Sequence, residues 1–353
     1  MAITIKDVAK AANVAPSTVS RVISDSRHIS EKTKKKVRQV MNELGYHTNL
    51  NARGLVQQST KTLGVVLKYS ESDAWKLGNL FVSEVLQGIS AHCQQHGYSI
   101  MITTGSTEEE IYKDVGRMVQ GKQVDGIIVL YAKKNDKVVP FLLEKAIPFS
   151  VVGKPMERMN EIMFVDNDNM QAAKDATEFL IHRNHSRIGF IGDNPTFQVI
   201  QDRVEGYYKA LEEHGIRRDA SYVKFVHTPE EEGAVVEEFL IMEAKPTALV
   251  ISTPLQGVGV LKALHKRGVH VPDEISLVVF NKTLITEMSI PVLTSIDTEA
   301  FQLGYEASRG VVELINNPDT FKRSVIIPAK IEPRESHRKL TKDNSSVINV
   351  TME

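Results

Sequence analysis

From Thr62 onward, continuously apolar runs alternate with amphipathic segments, and this alternation restricts the fold more than any other feature of the chain. LGVVL (63–67), SIMIT (99–103), GIIVL (126–130), PFSVV (148–152), RIGFI (187–191), TALVI (247–251), SLVVF (276–280) and LTSI (293–296) read as strands. Helical spacing fits the stretches between them: 79–96, 107–121, 170–183, 202–214, 230–243 and 256–267. A strand that is apolar on both faces must be covered on both faces, which predicts parallel sheets between layers of helices. Eight such strands satisfy one wide sheet or two. At 353 residues the chain exceeds one ordinary core, so two or three domains are expected.

The first sixty residues have a different texture. They hold ten Lys and Arg against four Asp and Glu, a net +6, while the remainder of the chain carries −7. A basic module on an acidic body points to a polyanion as the partner of the module alone. Three short helices fit it. Thr4 and Asp7 form a capping box ahead of Ile5, Val8, Ala9 and Ala12. Asn13 suits a turn, and Pro16 sits at a helix start, where its missing N–H costs nothing. Ser30 caps a third helix, with Val37, Val40, Met41 and Leu44 at helical spacing and Gly45 at its end. The second helix, PSTVSRVIS, turns Val19, Val22 and Ile23 inward and leaves Ser17, Ser20, Arg21 and Ser24 outside, with Thr18 between. Small hydroxyls let a backbone approach closely, and an arginine there can take guanine O6 and N7 or a phosphate. Helix, tight turn and helix with such a face make a helix-turn-helix pattern. The next segment, HTNLNARGLVQQSTKT, is too weakly apolar to hold a helix alone in water, and reads either as a linker or as a helix that forms on DNA.

IKDVAKAANVAPSTVSRVIS, HISEKTKKKVRQVMNELGY and NLNARGLV together resemble, without a gap from Ile5 to Leu55, the N-terminus of the LacI/GalR family of bacterial repressors. The resemblance implies a helix-turn-helix domain over 1–46, a hinge helix over 47–60 and an effector-binding, dimerising core over 61–340. It implies DNA contacts from Thr4, Pro16, Ser17, Thr18, Ser20 and Arg21. Ala52 and Leu55 belong to the hinge, where Leu55 would wedge into the minor groove at the operator centre, an unstacking that costs about a few kcal/mol and is offset by contacts to bent DNA. Thr48 stands where many members carry proline.

For the body, the resemblance implies a periplasmic-binding-protein fold of two Rossmann-like lobes, 61–160 with 291–322 and 161–290 with 323–340, joined by three crossovers near 161, 291 and 323. A ligand would lie in the cleft at the strands' C-terminal ends. DRVEGY (202–207) resembles the segment whose arginine grips the effector, here Arg203. NLFVSEVLQGI (79–89) resembles the first helix and its entrance, with Asn79 at its start. SLVVFNK ends in Asn281-Lys282 where two acids are usual, and PTALVISTPLQ carries Thr253-Pro254 where Asn-Asp is frequent. The loop KYSESDAWKLG is longer than usual and brings in Trp75, which could stack on a pyranose or pack within its own loop. Tyr131, Lys154 and Phe164 complete the expected effector set. The long loop and the FNK ending resemble the maltose-operon repressor branch of Gram-positive bacteria.

Other chemistry finds little support. His182 and His185 lack a third metal ligand, and His185 fits a turn that satisfies backbone carbonyls. DNDN (166–169) reads as the N-cap of the helix near 170, not as a calcium loop. Cys93 is the only cysteine, so no intrachain disulfide and no cysteine zinc site are expected, nor is any cofactor, resident metal or catalytic constellation. No apolar run reaches the roughly 18 residues of a membrane span, and the N-terminus lacks a signal-peptide core, which places the protein in the cytoplasm. The polar tail, 341–353, has no leucine heptad, which favours a dimer over a tetramer. The expected function is an operator-binding repressor of sugar-utilisation genes, released by a small sugar such as maltose or maltodextrin. The alternatives are a catabolite regulator gated by a protein co-repressor and a sugar-binding protein that does not bind DNA.

Overall fold

The structure, a computed structural model, describes residues 3–46, 59–67, 80–103, 105–226 and 231–341. The chain divides into a small unit, Met1–Lys61, and a large one, Thr62–Glu353.

The small unit holds α1 (Ile5–Ala12), α2 (Pro16–Ile23) and α3 (Glu31–Leu44). The carboxylate of Asp7 accepts the Thr4 N–H at 2.8 Å and the Thr4 hydroxyl at 2.7 Å, closing the first turn. Asn13, left-handed at φ 50°, ends α1, and Pro16 opens α2. Ser30 Oγ accepts from Thr33 N–H, and Gly45 ends α3 at φ 64°, a conformation only glycine adopts cheaply. Val8, Ala9, Ala12, Val19, Val22 and Val37 form one small core. None of these helices is long enough to persist alone, so this shared burial holds all three.

One residue of the basic run behaves unexpectedly. Lys34 is buried, and its ammonium meets Asp25 at 3.1 Å and Glu31 at 3.0 Å. Arg38 reaches the same Asp25 at 2.7 Å. The Lys34 bond holds the Asp25 carboxyl below its usual range. Asp25 follows α2 directly, so two cations of α3, the buried Lys34 and the exposed Arg38, fix the end of α2.

The large unit is built on two six-stranded sheets, and its strands run β1 to β12 in chain order. β1 (Thr62–Val66), β2 (Ser99–Ile102), β3 (Gly126–Val129), β4 (Phe149–Val152), β5 (Met163–Asp166) and β11 (Ser324–Ile326) form the first, in the order β11-β5-β4-β3-β1-β2. β6 (Ile188–Gly192), β7 (Val223–Phe225), β8 (Ala248–Ile251), β9 (Ser276–Phe280), β10 (Thr294–Asp297) and β12 (Lys330–Glu332) form the second, in the order β12-β10-β9-β8-β6-β7. All neighbours are parallel except β10 and β12. The apolar runs therefore build two sheets, not one wide sheet.

Each sheet is covered on both faces, as its doubly apolar strands demand. In the first, Leu63, Val65 and Ile128 pack against α4 (Leu80–His96) and α12 (Ala300–Asn316). Val66, Ile127 and Val129 face the other way, onto α5 (Glu108–Gln120) and α6 (Val138–Glu144). In the second, Phe190, Val250 and Val278 meet α7 (Asn169–Ile181) and α8 (Gln198–Glu213). Ile191, Leu249 and Val279 meet α9 (Glu231–Ile241) and α10 (Pro254–Lys266). α11 (Leu284–Glu287) is a single turn. No described helix is long and apolar enough to cross a membrane.

The chain passes between the sheets after β5, after β10 and after β11. These crossovers lie at 167–168, 298–299 and 327–329, a few residues later than expected from the sequence. The sequence placed these passages only approximately because β5, β10 and β11 are short strands whose sheet membership depends on distant partners.

Candidate ligand cleft and DNA-reading helix

In the small unit, Pro16, Ser17, Ser20, Arg21 and Ser24 are exposed, Thr18 is half-buried, and Val19 and Val22 are buried. The outward face of α2 is the small, polar, arginine-bearing surface that its spacing predicts. Thr4 is exposed, but its hydroxyl is bonded to Asp7, so it serves the start of α1. Ala52 and Leu55 lie outside the described residues, as do Thr48, Trp75, Asn79 and the tail from 342.

In the large unit, the C-terminal ends of both sheets border a cavity of about 140 Å³, the place where open parallel sheets bind ligands. Tyr131, Arg203, Thr253 and Asn281 line it. Phe164 does not: it points from β5 into the apolar layer under α5 and α6. Lys154 also stands outside the lining, with an exposed side chain whose charge acts on Asp202, and its peptide N–H donates to Asp166 Oδ2 at 2.8 Å. The lining further includes Asp166, Asn169, Asp193, Phe197 and Phe81, which sequence patterning did not single out.

Arg203 organises the cleft. It projects from α8 and is buried, with Nε donating to Asn169 Oδ1 at 3.0 Å and Nη1 donating to the Ser252 carbonyl at 2.8 Å. Its guanidinium lies over the Phe280 ring at 3.8 Å. Nη2 makes none of the described hydrogen bonds, which leaves a fixed donor at the cavity wall. Burial pulls the guanidinium down to about 9, against the pull of Asp166 and Asp202.

Asn169 connects this arginine to Asp166, to which its amide donates at 2.9 Å. The DNDN stretch is therefore both a cap and a site. Asp168 Oδ1 caps α7 by accepting the Gln171 N–H, while Asp166 and Asn169 face the cavity. A cluster of amides and carboxylates at a strand end was the available signal. Burial raises Asp166 to about 6, against the lowering effect of the Asn167 and Lys154 amides and of Arg203.

This shift has a testable sign. Between pH 4 and 6 the unfolded chain has released the Asp166 proton and the native state has not, so this group's contribution to stability falls as pH rises through that window. A displacement of about two pKa units corresponds to roughly 3 kcal/mol. Urea unfolding of the protein and of Asp166→Asn at pH 4 and pH 7 is expected to show the variant gaining by that order relative to the parent. An unchanged difference between the two pH values would assign Asp166 an ordinary pKa.

The other lining residues have defined partners. The Tyr131 hydroxyl donates to Asp136 at 3.2 Å, its ring meets Phe197 edge-on at 6.5 Å, and burial pushes the phenol upward. Thr253 caps α10 by accepting the Gln256 N–H at 3.3 Å. Asn281, left-handed at φ 63°, accepts the Thr298 hydroxyl at 3.0 Å. Lys282 leaves the site and meets Glu332 at 3.0 Å and Asp297 at 3.6 Å. His185, remote from the cleft, has both ring nitrogens occupied, by the Thr247 hydroxyl at 3.0 Å and the Arg338 carbonyl at 3.1 Å, partners distant in sequence instead of the carbonyls of its own turn.

Comparison with known proteins places both units. Residues 4–49 match the family described as bacterial regulatory proteins, lacI family, and residues 177–337 match the periplasmic binding protein-like domain. The HTH-type transcriptional regulator MalR of Streptococcus pneumoniae is 38% identical over 319 residues, covering 90% of this chain and 94% of the relative. MalR of Staphylococcus xylosus is 32% identical over 334 residues, covering 95% and 98%. The structure of the transcriptional regulator CelR with cellobiose superposes with a TM-score of 0.74 at 26% identity, covering 95% of this chain and 99% of that one. An exposed helix-turn-helix face, a two-lobed ligand-binding core and identity along nearly the whole chain agree, and the protein belongs to the lacI family of bacterial transcriptional regulators.

Proposed function

We propose that the protein is a cytoplasmic homodimeric repressor of sugar-utilisation genes whose operator affinity falls when maltose or a maltodextrin occupies the cleft. In this reading 1–46 forms the DNA-reading module, 47–60 the hinge, and the remaining core binds the sugar and the second subunit.

The observation that carries the reading is Arg203. It is a single buried guanidinium, held at three of its sides and flanked by Asp166 and Asp202. Two neighbouring carboxylates balance its charge, so the cleft suits a neutral polyol better than a phosphate or a carboxylate. Fixed donors and amide groups match hydroxyls, and the rings of Tyr131, Phe197 and Phe81 offer apolar walls to a pyranose face. The cellobiose-bound CelR supports a disaccharide. Sugar and operator would favour different lobe arrangements, so each weakens the other by the same factor.

Operator binding measured by fluorescence anisotropy at two salt concentrations, with and without maltose, tests this. Cationic phosphate contacts give a steep loss of affinity with salt. Arg21→Ala is expected to cost roughly 1–3 kcal/mol of specific binding, about 5- to 150-fold. Maltose is expected to weaken specific binding of the parent. Salt-sensitive binding that ignores maltose would assign the effector to another sugar or to a protein co-repressor. Sugar binding without DNA binding would reject the repressor.

A further inference from the structure

We propose that Asn167 is a positioning residue that pins the two lobes together. One buried side-chain amide fastens all three crossovers, and Thr298 extends that fastening to the ligand-facing Asn281.

Asn167 lies in the first crossover and is 6% exposed. Its Nδ2 donates to the Thr298 carbonyl of the second crossover at 3.1 Å and to the Ile327 carbonyl of the third at 2.8 Å. Both amide hydrogens are thus committed, one to each neighbouring crossover. Its peptide N–H donates to Asp166 Oδ1 at 2.8 Å, which ties it to the carboxylate that receives Asn169. Sheet pairing cannot do this work. The β5–β11 ladder ends at Asp166 and Ile326, and the β10–β12 ladder begins at Asp297 and Lys330. Among the described bonds, the side chain of Asn167 alone joins the first crossover to the second.

The second crossover in turn touches the site. The Thr298 hydroxyl donates to Asn281 Oδ1, and Thr298 is 2% exposed. A polar path therefore runs from Arg203 and Asn169 of the second lobe to Asp166 at the end of β5 in the first, and on through Asn167 and Thr298 to Asn281, which follows β9 in the same lobe as Arg203. A shift of the first lobe at Asp166, or of the second at Asn169 and Asn281, reaches the crossover backbones through short, directional bonds.

The lobes also meet at a second place. Lys134 N–H donates to the Thr196 carbonyl at 3.2 Å, and Gln198 N–H to the Ala132 carbonyl at 3.0 Å. These bonds follow β3 and β6, which lie two strands from β5 and three strands from β10. At about 4.8 Å per strand they act roughly 10–15 Å from the pin. Opening the cleft about Asn167 breaks the distant pair and spares the amide, which makes Asn167 the pivot and 132–134 with 196–198 the mouth.

The link to ligand rests on the sugar-gated reading above, whereas the pivot itself does not. Nitroxide labels at Lys113→Cys on α5 and Lys262→Cys on α10, in the full chain with buried Cys93 retained, report the lobe separation by pulsed electron resonance. Asn167→Ala is expected to broaden the distance distribution at least about twofold while the protein still melts cooperatively. Thr298→Val is expected to keep the narrow distribution and the maltose Kd but to reduce at least about threefold the ratio of operator affinities without and with maltose. If Asn167→Ala does not fold, Asn167→Ser, which keeps one donor, replaces it in the distance measurement. An unchanged width overturns the pivot, and an unchanged ratio in Thr298→Val overturns the link to Asn281. A parent that ignores maltose overturns the maltose reading and with it this link, while the width still decides the pivot.

Discussion

Arg203→Ala is expected to abolish the response to sugar while leaving operator affinity in its absence within about threefold of the parent. The guanidinium offers the cavity a charged donor whose position is fixed by Asn169, the Ser252 carbonyl and the Phe280 ring. A hydrogen bond to a charged group contributes about 1.5–3 kcal/mol, so sugar affinity should fall roughly 10- to 150-fold. The variant also leaves Asp166 without its nearby positive charge and two buried acceptors without donors. Removing one member of a buried charged set typically costs about 3–5 kcal/mol of stability. Calorimetric titration with maltose, operator anisotropy and urea unfolding separate these effects. Arg203→Lys keeps a charge but loses the planar fork and the ring stacking, and should recover stability more than affinity. A variant that binds maltose and still releases operator would remove Arg203 from the ligand site.

Gly88→Ala and Gly304→Ala are expected to destabilise the large unit by about 3 kcal/mol or more, the upper end of overpacking costs. α4 and α12 cross on these two glycines. A Cβ at Gly88 would stand 1.9 Å from the Phe301 carbonyl oxygen, and one at Gly304 would stand 2.0 Å from the Val85 carbonyl oxygen. The obstacle in both cases is backbone, so no rotamer change relieves it. Helix-interior glycine otherwise costs about 1 kcal/mol relative to alanine. Gly116 in α5 has nothing within 4 Å of its would-be Cβ, and Gly116→Ala should therefore stabilise by up to about that amount. Urea midpoints of the three variants give opposite signs if the helix packing is as described. A Gly88→Ala protein as stable as the parent would mean that the two helices do not approach this closely.

Much of the fold was legible because its signals are local. The strand runs are apolar on both faces, and GIIV, ALVI and SLVVF are buried throughout. The caps at Ser30 and Gly45, the turn at Asn13 and the exposed set Ser17, Ser20 and Arg21 follow from spacing and from each residue's own backbone preference. The strands missed by patterning fail for a physical reason. β7, β11 and β12 are three-residue edge strands with half-exposed side chains, so no burial period marks them. β5 is buried but only four residues long and ends in Asp166.

The site divides in the same way. Arg203, Thr253, Tyr131 and Asn281 were expected from the resemblance to the family's effector segments, and all four line the cavity. Phe164 was misplaced because a strand alternates its faces, and the sequence does not say which face a four-residue strand turns to the cleft. Asp166, Asn167 and Asn169 carry the polar network, yet in sequence they look like an ordinary helix cap. The sequence by itself determined the two textures of the chain, the basic helix-turn-helix module and the parallel-sheet body, because periodicity, capping and charge are properties of neighbouring residues. Only the tertiary structure decided where the chain crosses between lobes, that Lys34 turns inward to Asp25, and that one amide at Asn167 meets carbonyls 131 and 160 residues away. Those outcomes depend on which distant backbone groups burial leaves in need of a partner, and local spacing carries no record of that.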